Sequence, residues 1–252
     1  MIGAFIVARI GSTRLPGKNM MILLGKPMIE LMVERVKSSR MIDKVVIAIS
    51  TDPTDGPLEN LAKELDIGIY RGSLENVMER VSKAAEVYNC DTIIELLGDN
   101  PLVHCDLIDD VVRFYLDGKY DYAATVTNEY PVSKTDPGIK LFTLGVRVQV
   151  YSRKTAEKYV DYPEYFNIED KGTTAYIFEH PETFKIGYFE AKAKWSFMNR
   201  CNLNFAINYY KNFNLIRTIF EKNYPEDKNF TLEKVYEQLD KDKYLYLLMG
   251  NE

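Results

Sequence analysis

Cysteine is scarce in this sequence: Cys90, Cys105 and Cys201 are odd in number, far apart and never arranged as C-x-x-C. That spacing excludes a disulfide framework and a cysteine zinc site, and predicts buried free thiols. Long apolar runs are missing as well, since no stretch approaches the roughly 20 residues that span a bilayer. The opening residues lack the basic n-region and small-residue cleavage pattern of a secretory signal. A cytoplasmic protein with no membrane partner is the expectation. Excess positive charge is absent too: 32 basic against 37 acidic residues leave a net charge of -5, so the surface as a whole repels nucleic acid. There are no repeats, low-complexity tracts or long Pro/Gly/Ser linkers to divide the chain into separate large domains.

What is present is a chain of 252 residues, 46% hydrophobic, long enough to bury one substantial core. The apolar runs GAFIVA (3 to 8), VVIAIS (45 to 50), GIY (68 to 70) and TIIELL (92 to 97) read as short strands buried on both faces of a parallel sheet. Between them, Met28, Leu31, Met32, Arg35 and Val36 after Pro27, then Leu58 to Leu65 and Leu74 to Val87, keep the spacing of amphipathic helices. This alternation predicts an α/β domain with a single mixed, mostly parallel sheet, doubly wound in the Rossmann manner and flanked by helices. Further on, DYAATV (121 to 126), the long run 139 to 152, FKIGYFEA (184 to 191) and LNFAINYY (203 to 210) read as more strands. SRKTAEKYV, EDKGTTAYIFE, the stretch Asn212 to Glu221 and LEKVYEQLD read as helices. Residues 1–222 form the expected main domain, and 223–252 a C-terminal helical appendage.

Two stretches carry chemistry. ARIGSTRLPGKN (8 to 19) follows the first strand and, with Lys26 a little later, gathers four cations, Arg9, Arg14, Lys18 and Lys26, in an acidic chain. In parallel α/β sheets ligands bind beyond the carboxyl ends of the strands. Gly11 and Gly17 let backbone approach a ligand, Ser12 and Thr13 add hydroxyls, and Arg14 and Lys18 suit phosphate oxygens. The P-loop spacing fails, because five residues separate Gly11 from Gly17 and Asn19 follows Lys18. A solvated basic turn is the alternative. LLGDNPLV (96 to 103) places Asp99 just past the fourth strand, on the same predicted edge. A carboxylate there can hold Mg²⁺, which binds through one or two carboxylates plus substrate phosphates. An Asx turn is the plainer use of such an aspartate.

Other side chains point to packing more than chemistry. His104 could act as a general base, but a lone histidine at a helix start serves structure more often, and His180 before Pro181 reads as a turn. Trp195 and the aromatics of NYYKNFN read as packing, and Lys192, Lys194 and Arg200 as a solvated basic face.

The blocks ARIGSTRLPGK, LGKPMIELMVERV, IDKVVIAISTD, PLENLAKELDIGIYRGSLENVMERV and LLGDNPLV resemble, in order and spacing, those of the cytidylyltransferases that activate acidic sugars, above all their spore-coat-polysaccharide SpsF-like branch. The resemblance implies a nucleotide-diphospho-sugar transferase type of fold, often dimeric, that transfers CMP from CTP to a sugar acid with release of pyrophosphate. It implies small-molecule substrates and a homodimer. Carried over by position, Ala8, Arg9, Gly11, Ser12, Arg14 and Lys18 would contact the nucleotide and its phosphates. Arg71, Ser73 and Asn76 would lie by the base or ribose. Asp99 would bind Mg²⁺, and Lys18, Arg14 and Asp99 would serve catalysis.

The C-terminal half departs from the pattern in one direction. A second metal carboxylate is usual where Asn208 stands, carboxylates are usual at Arg147 and Gln149, and a Glu-His pair is usual at Lys171 and Gly172. Arg147, Gln149, Lys171 and Asn208 are therefore the expected acceptor-binding set, suited to an acceptor with added negative charge such as a phosphate. The alternative is a homologue that binds nucleotide without catalysis and acts as a partner or regulator.

Overall fold

The computed structural model describes residues 1–160 and 174–248. The chain opens with β1 (Ile2–Val7), crosses a long loop ending in a 3-10 turn (Lys18–Met20), and makes a small hairpin of β2 (Ile22–Leu23) and β3 (Lys26–Pro27). There follow α1 (Met28–Lys37), β4 (Lys44–Ser50), α2 (Gly56–Glu64), β5 (Gly68–Gly72), α3 (Val77–Val87), β6 (Thr92–Leu97) and α4 (Cys105–Gly118). Then come β7 (Tyr122–Thr125), α5 (Val132–Thr135), β8 (Gln149–Ser152), α6 (Arg153–Val160), α7 (Ala175–Glu179) and β9 (Ile186–Phe189). The chain closes with α8 (Tyr210–Asn223), α9 (Leu232–Lys241) and α10 (Tyr244–Leu247).

Seven strands form one sheet in the order β5-β4-β1-β6-β8-β7-β9. β8 runs antiparallel to both neighbours, and the other pairings are parallel. The mixed, mostly parallel sheet expected from the apolar runs is therefore present. Alternate residues of each strand face opposite sides. Ala4, Ile6, Ile47, Ile49, Ile94 and Leu96 pack with α1, α2, α4, α8 and α9 on one face, while Phe5, Val46, Ala48, Ile93, Tyr122 and Tyr151 pack with α3, α6 and α7 on the other. Both faces are covered, which is why the central strands read as continuous apolar runs.

The C-terminal helices share the first of these cores through Phe230, Leu232, Val235, Tyr236, Leu239 and Leu245. Arg35, fully buried in α1, ties them in: its guanidinium donates to the carbonyls of Val103 (3.2 Å) and Phe230 (3.1 Å) and lies 4.4 Å from the Phe230 ring centre. Burial pulls its pKa down to about 10, which leaves it a cation at neutral pH.

Two expected strands are corrected. Within 139 to 152 only Gln149–Ser152 is a strand, and 203 to 210 contributes a single bridge, Leu144 to Asn204. Gly145 explains both. Its φ of +86° breaks the extended run, and a Cβ there would lie 2.2 Å from Ala206 N, so only glycine lets 205–207 pass this close. Cys201 is exposed while Cys90 and Cys105 are buried, so one thiol departs from the expectation.

Candidate nucleotide-binding and transfer site

From β1 the chain winds outward through β4 and β5 and returns to β6 on the other side of β1. The switch point of the sheet thus lies between Val7 and Leu97, register partners at the carboxyl ends of β1 and β6. The loop after β1 and the loop 98–104 rise side by side from this point.

The first loop is held from below. Ile10 N–H donates to Asp55 Oδ1 (2.6 Å), while the other oxygen of Asp55, 1% exposed, accepts from Ser50 N–H and Oγ. Gly17, at φ +72°, donates its N–H to Ile10 O (2.9 Å), and Asn19 Nδ2 donates to Arg9 O (3.1 Å). Ala8 is buried beneath the loop, and Ser12 Oγ accepts from Leu15 N–H. Arg9, Gly11, Thr13 and Arg14 are left exposed. Neither arginine has an ion-pair partner among the described residues, nor do the Gly11, Thr13 and Arg14 N–H groups donate to any of their acceptors. A fixed backbone with unspent donors and two free guanidiniums is a receptor for an anion. Lys26 does not belong to it, because Glu30 and Glu34 hold its ammonium and raise its pKa through those hydrogen bonds.

Lys18 sits deeper, 7% exposed. Its Nζ lies 2.6 Å from Asp99 Oδ2 and 2.7 Å from Ile207 O. The other Asp99 oxygen accepts from Asn100 Nδ2 (2.6 Å), and Asn100, 2% exposed, accepts Arg147 N–H on its Oδ1 (3.1 Å). Ile207 N–H donates to Asp99 O at 3.0 Å. The segment that Gly145 admits thereby brings Asn208 to this edge, where its Oδ1 is buried without a hydrogen-bond partner among the described residues.

On the far side, Arg147 Nε donates to Tyr130 OH (3.1 Å), its guanidinium lies 5.0 Å from the Tyr130 ring centre, and Glu129 is 3.7 Å away. Behind it runs a buried polar network that meets Tyr130 through Tyr122 OH (3.4 Å). Buried Glu95 accepts from Gln149 Nε2 (3.2 Å) and from Tyr151 OH, while Gln149 Oε1 accepts from Tyr122 OH (2.6 Å) and Thr174 Oγ1 (3.0 Å). Gln149 was expected to meet the acceptor. Its amide is engaged within the core, where the residue is 1% exposed.

Arg71, Ser73 and Asn76 stand at the right edge but are already occupied. Arg71 binds Glu59 (2.6 Å) and the carbonyls of Ser50 and Asp52. Ser73 Oγ accepts from Asn76 N–H, and Asn76 Oδ1 from Glu79 N–H, capping α3. These bonds fix the three side chains at this edge, while the Ser73 hydroxyl proton and Asn76 Nδ2 donate to none of the described residues. Lys171 lies outside the described residues. Sequence reading missed Asp55, Glu95 and Arg80. Glu95 was visible as the one charge inside TIIELL, and Arg80 as a cation on the apolar stripe of α3. Arg80 donates to Ser73, Leu74 and Ala48 carbonyls, with burial lowering its pKa to about 10.

His104, Cys105 and Asp106 bring three metal-type donors within 4.8 Å of one another. They crown the positive N-terminus of α4, close to buried Arg35, and His104 Nδ1 already accepts from Asp106 N–H. That field disfavours a cation, and His104 serves as the helix cap.

Phosphates are what the first loop can hold, and the class that this fold and edge define is an α/β nucleotidyltransferase. The chain belongs to the cytidylyltransferase family, whose family model matches residues 4–246. It is 28% identical over 224 residues to the spore coat polysaccharide biosynthesis protein SpsF of Bacillus subtilis, spanning 86% of this chain and 85% of that one. It is 33% identical over 129 residues to 3-deoxy-manno-octulosonate cytidylyltransferase of Bdellovibrio bacteriovorus, spanning 51% and 50% of the two. A cytidylyltransferase structure from Leptospira borgpetersenii superposes with a TM-score of 0.83 at 23% identity, covering 100% of this chain and 98% of that one, and shares the fold. The protein is a CTP-using nucleotidyltransferase. Among the described residues no helix is long and apolar enough to cross a membrane.

Proposed function

We propose that this protein transfers CMP from CTP to a small, anionic, sugar-like acceptor with release of pyrophosphate, using Mg²⁺ held at Asp99. The observation that carries the reading is the Lys18–Asp99 pair set beneath an open cationic loop at the switch point. The donors there suit the metal: Asp99 and the Ile207 carbonyl are hard oxygens, and Asn208, next in the chain, carries a buried amide oxygen without a partner among the described residues. When bound, Mg²⁺ would offset phosphate charge during transfer. Arg9, Arg14 and the loop N–H groups hold the phosphates in line. An acceptor oxygen then forms its bond to the α-phosphorus as the bond to the pyrophosphate oxygen breaks, and no covalent enzyme intermediate is needed.

Arg147, steadied by Tyr130 and with part of its donor fork unspent, would receive the acceptor's anionic group. Likeness to SpsF supports a place in surface-polysaccharide synthesis, and a cytoplasmic homodimer with no nucleic-acid partner fits the family resemblance and the acidic surface. Asn208, neutral where a second carboxylate is usual, favours one rival, a nucleotide binder that does not catalyse.

A thermal-shift titration with CTP, UTP, ATP and GTP, each with and without Mg²⁺, tests the reading. CTP at about 100 times its Kd should add about 2.7 kcal/mol of stability. CTP-selective stabilisation strengthened by Mg²⁺ supports transfer, selective binding indifferent to Mg²⁺ supports the rival, and no nucleotide binding removes the phosphate role of the loop.

A further inference from the structure

We propose that Lys18 is a resident counter-cation that closes the Asp99 site to free divalent metal and yields it only when nucleotide phosphates draw the ammonium away. Metal and nucleotide then enter together. The inference rests on the reading of Asp99 as the metal carboxylate.

The Lys18 ammonium fills an oxygen set of the kind a hard cation takes. It touches Asp99 Oδ2 at 2.6 Å and Ile207 O at 2.7 Å, next along the chain from the unpartnered Asn208 Oδ1. The second Asp99 oxygen already accepts from Asn100 Nδ2 at 2.6 Å, which leaves it a weaker ligand than a free carboxylate oxygen. A divalent ion reaching Oδ2 would stand against a buried ammonium with little water between them, where like charges repel strongly.

Charge balance points the same way. With Asn208 in place of an acid, Asp99 is the carboxylate that the described residues bring to Lys18, and Lys18 neutralises it. Adding a divalent ion alone would leave the site strongly positive. Nucleotide phosphates restore the balance and also supply the pull, since Lys18 belongs to the same loop as Arg9 and Arg14. Lysine suits the task because its charge is compact and its four-carbon stem can pivot while the backbone stays pinned by Gly17 and Asn19.

The test uses Mn²⁺ as the probe and water-proton relaxation enhancement, which reads protein-bound ion, in wild type, Lys18→Met, Lys18→Arg and Asp99→Asn, with and without CTP. Without CTP, Lys18→Met should bind Mn²⁺ at least about tenfold more tightly than wild type. Lys18→Arg, which keeps a cation, should still exclude the ion. CTP should close the gap in wild type, and Asp99→Asn should lose the site in every state. If Lys18→Met does not fold, Lys18→Gln is read the same way. Wild type binding Mn²⁺ alone as tightly as the uncharged variant, with that binding lost in Asp99→Asn, overturns the gate and leaves the metal site standing. Mn²⁺ binding indifferent to Asp99 in every state overturns the metal reading and this inference with it.

Discussion

The two sides of the switch-point edge spend their polar groups differently. On the nucleotide side, the backbone after β1 is tied down by Asp55, Gly17 and Asn19, yet Arg9 and Arg14 reach solvent with no partner among the described residues. On the other side, Glu95, Gln149, Tyr122, Tyr151 and Thr174 hydrogen-bond to one another inside the core, with Arg147 half-buried beside them. The first arrangement keeps its hydrogen-bonding capacity for a ligand; the second uses it to fix the shape of the wall. A residue's type is therefore a poorer guide to binding than whether its donors are already taken.

The sharpest way to break the contrast is at the residue joining the two sides. Asp99→Asn should lower pyrophosphate release by about 10³-fold, roughly 4 kcal/mol, in steady-state kinetics. By unpairing buried Lys18 it should also cost about 1–3 kcal/mol of stability in calorimetry, with the fold retained. Turnover like that of wild type would remove Asp99 from the metal site. Next comes the wall. Gln149→Leu strips partners from Glu95, Tyr122 and Thr174 at once, so denaturant unfolding should show a loss of about 1–3 kcal/mol, with CTP affinity retained.

The nucleotide side should give the opposite pattern. Arg14→Ala should weaken CTP binding about tenfold in calorimetry while changing stability by less than about 0.5 kcal/mol. The smallest effect concerns His104, which is buried with Nδ1 accepting from Asp106 N–H and is held below its usual pKa chiefly by desolvation. The unfolded chain takes up a proton near pH 6.5 before the folded one does, so this site costs stability as pH falls through that value. His104→Asn keeps the cap acceptor and should show a shallower loss of stability between pH 7 and pH 5 in urea unfolding. An identical slope in the two proteins would show that His104 does not titrate there.

Much of the fold was legible because period and chemistry agree locally. TIIELL was read as a strand over the same residues the structure gives, and Asn212 to Glu221 lies within α8. The run 139 to 152 misled because its apolar residues pack on a path that turns at Gly145, and periodicity cannot see a positive φ. Arg71 lies near the end of β5, and Ser73 and Asn76 just after it. Their engagement by Glu59, Ser50, Asp52 and Glu79 was not legible, since a side chain's partners depend on what the fold brings within 3 Å.

By itself the sequence determined the alternation of buried strands and amphipathic helices, the cationic loop after β1 and a carboxylate at the end of β6, since each depends on residues close together in the chain. Tertiary structure decided what that loop and carboxylate do. Lys18 meets Asp99 across 81 positions and Ile207 across 189, and Asn100 reaches Arg147 across 47. Such contacts follow from strand order and from the close passage at Gly145, because a hydrogen bond depends on distance in space and the chain's local pattern says nothing about which remote segments will share it.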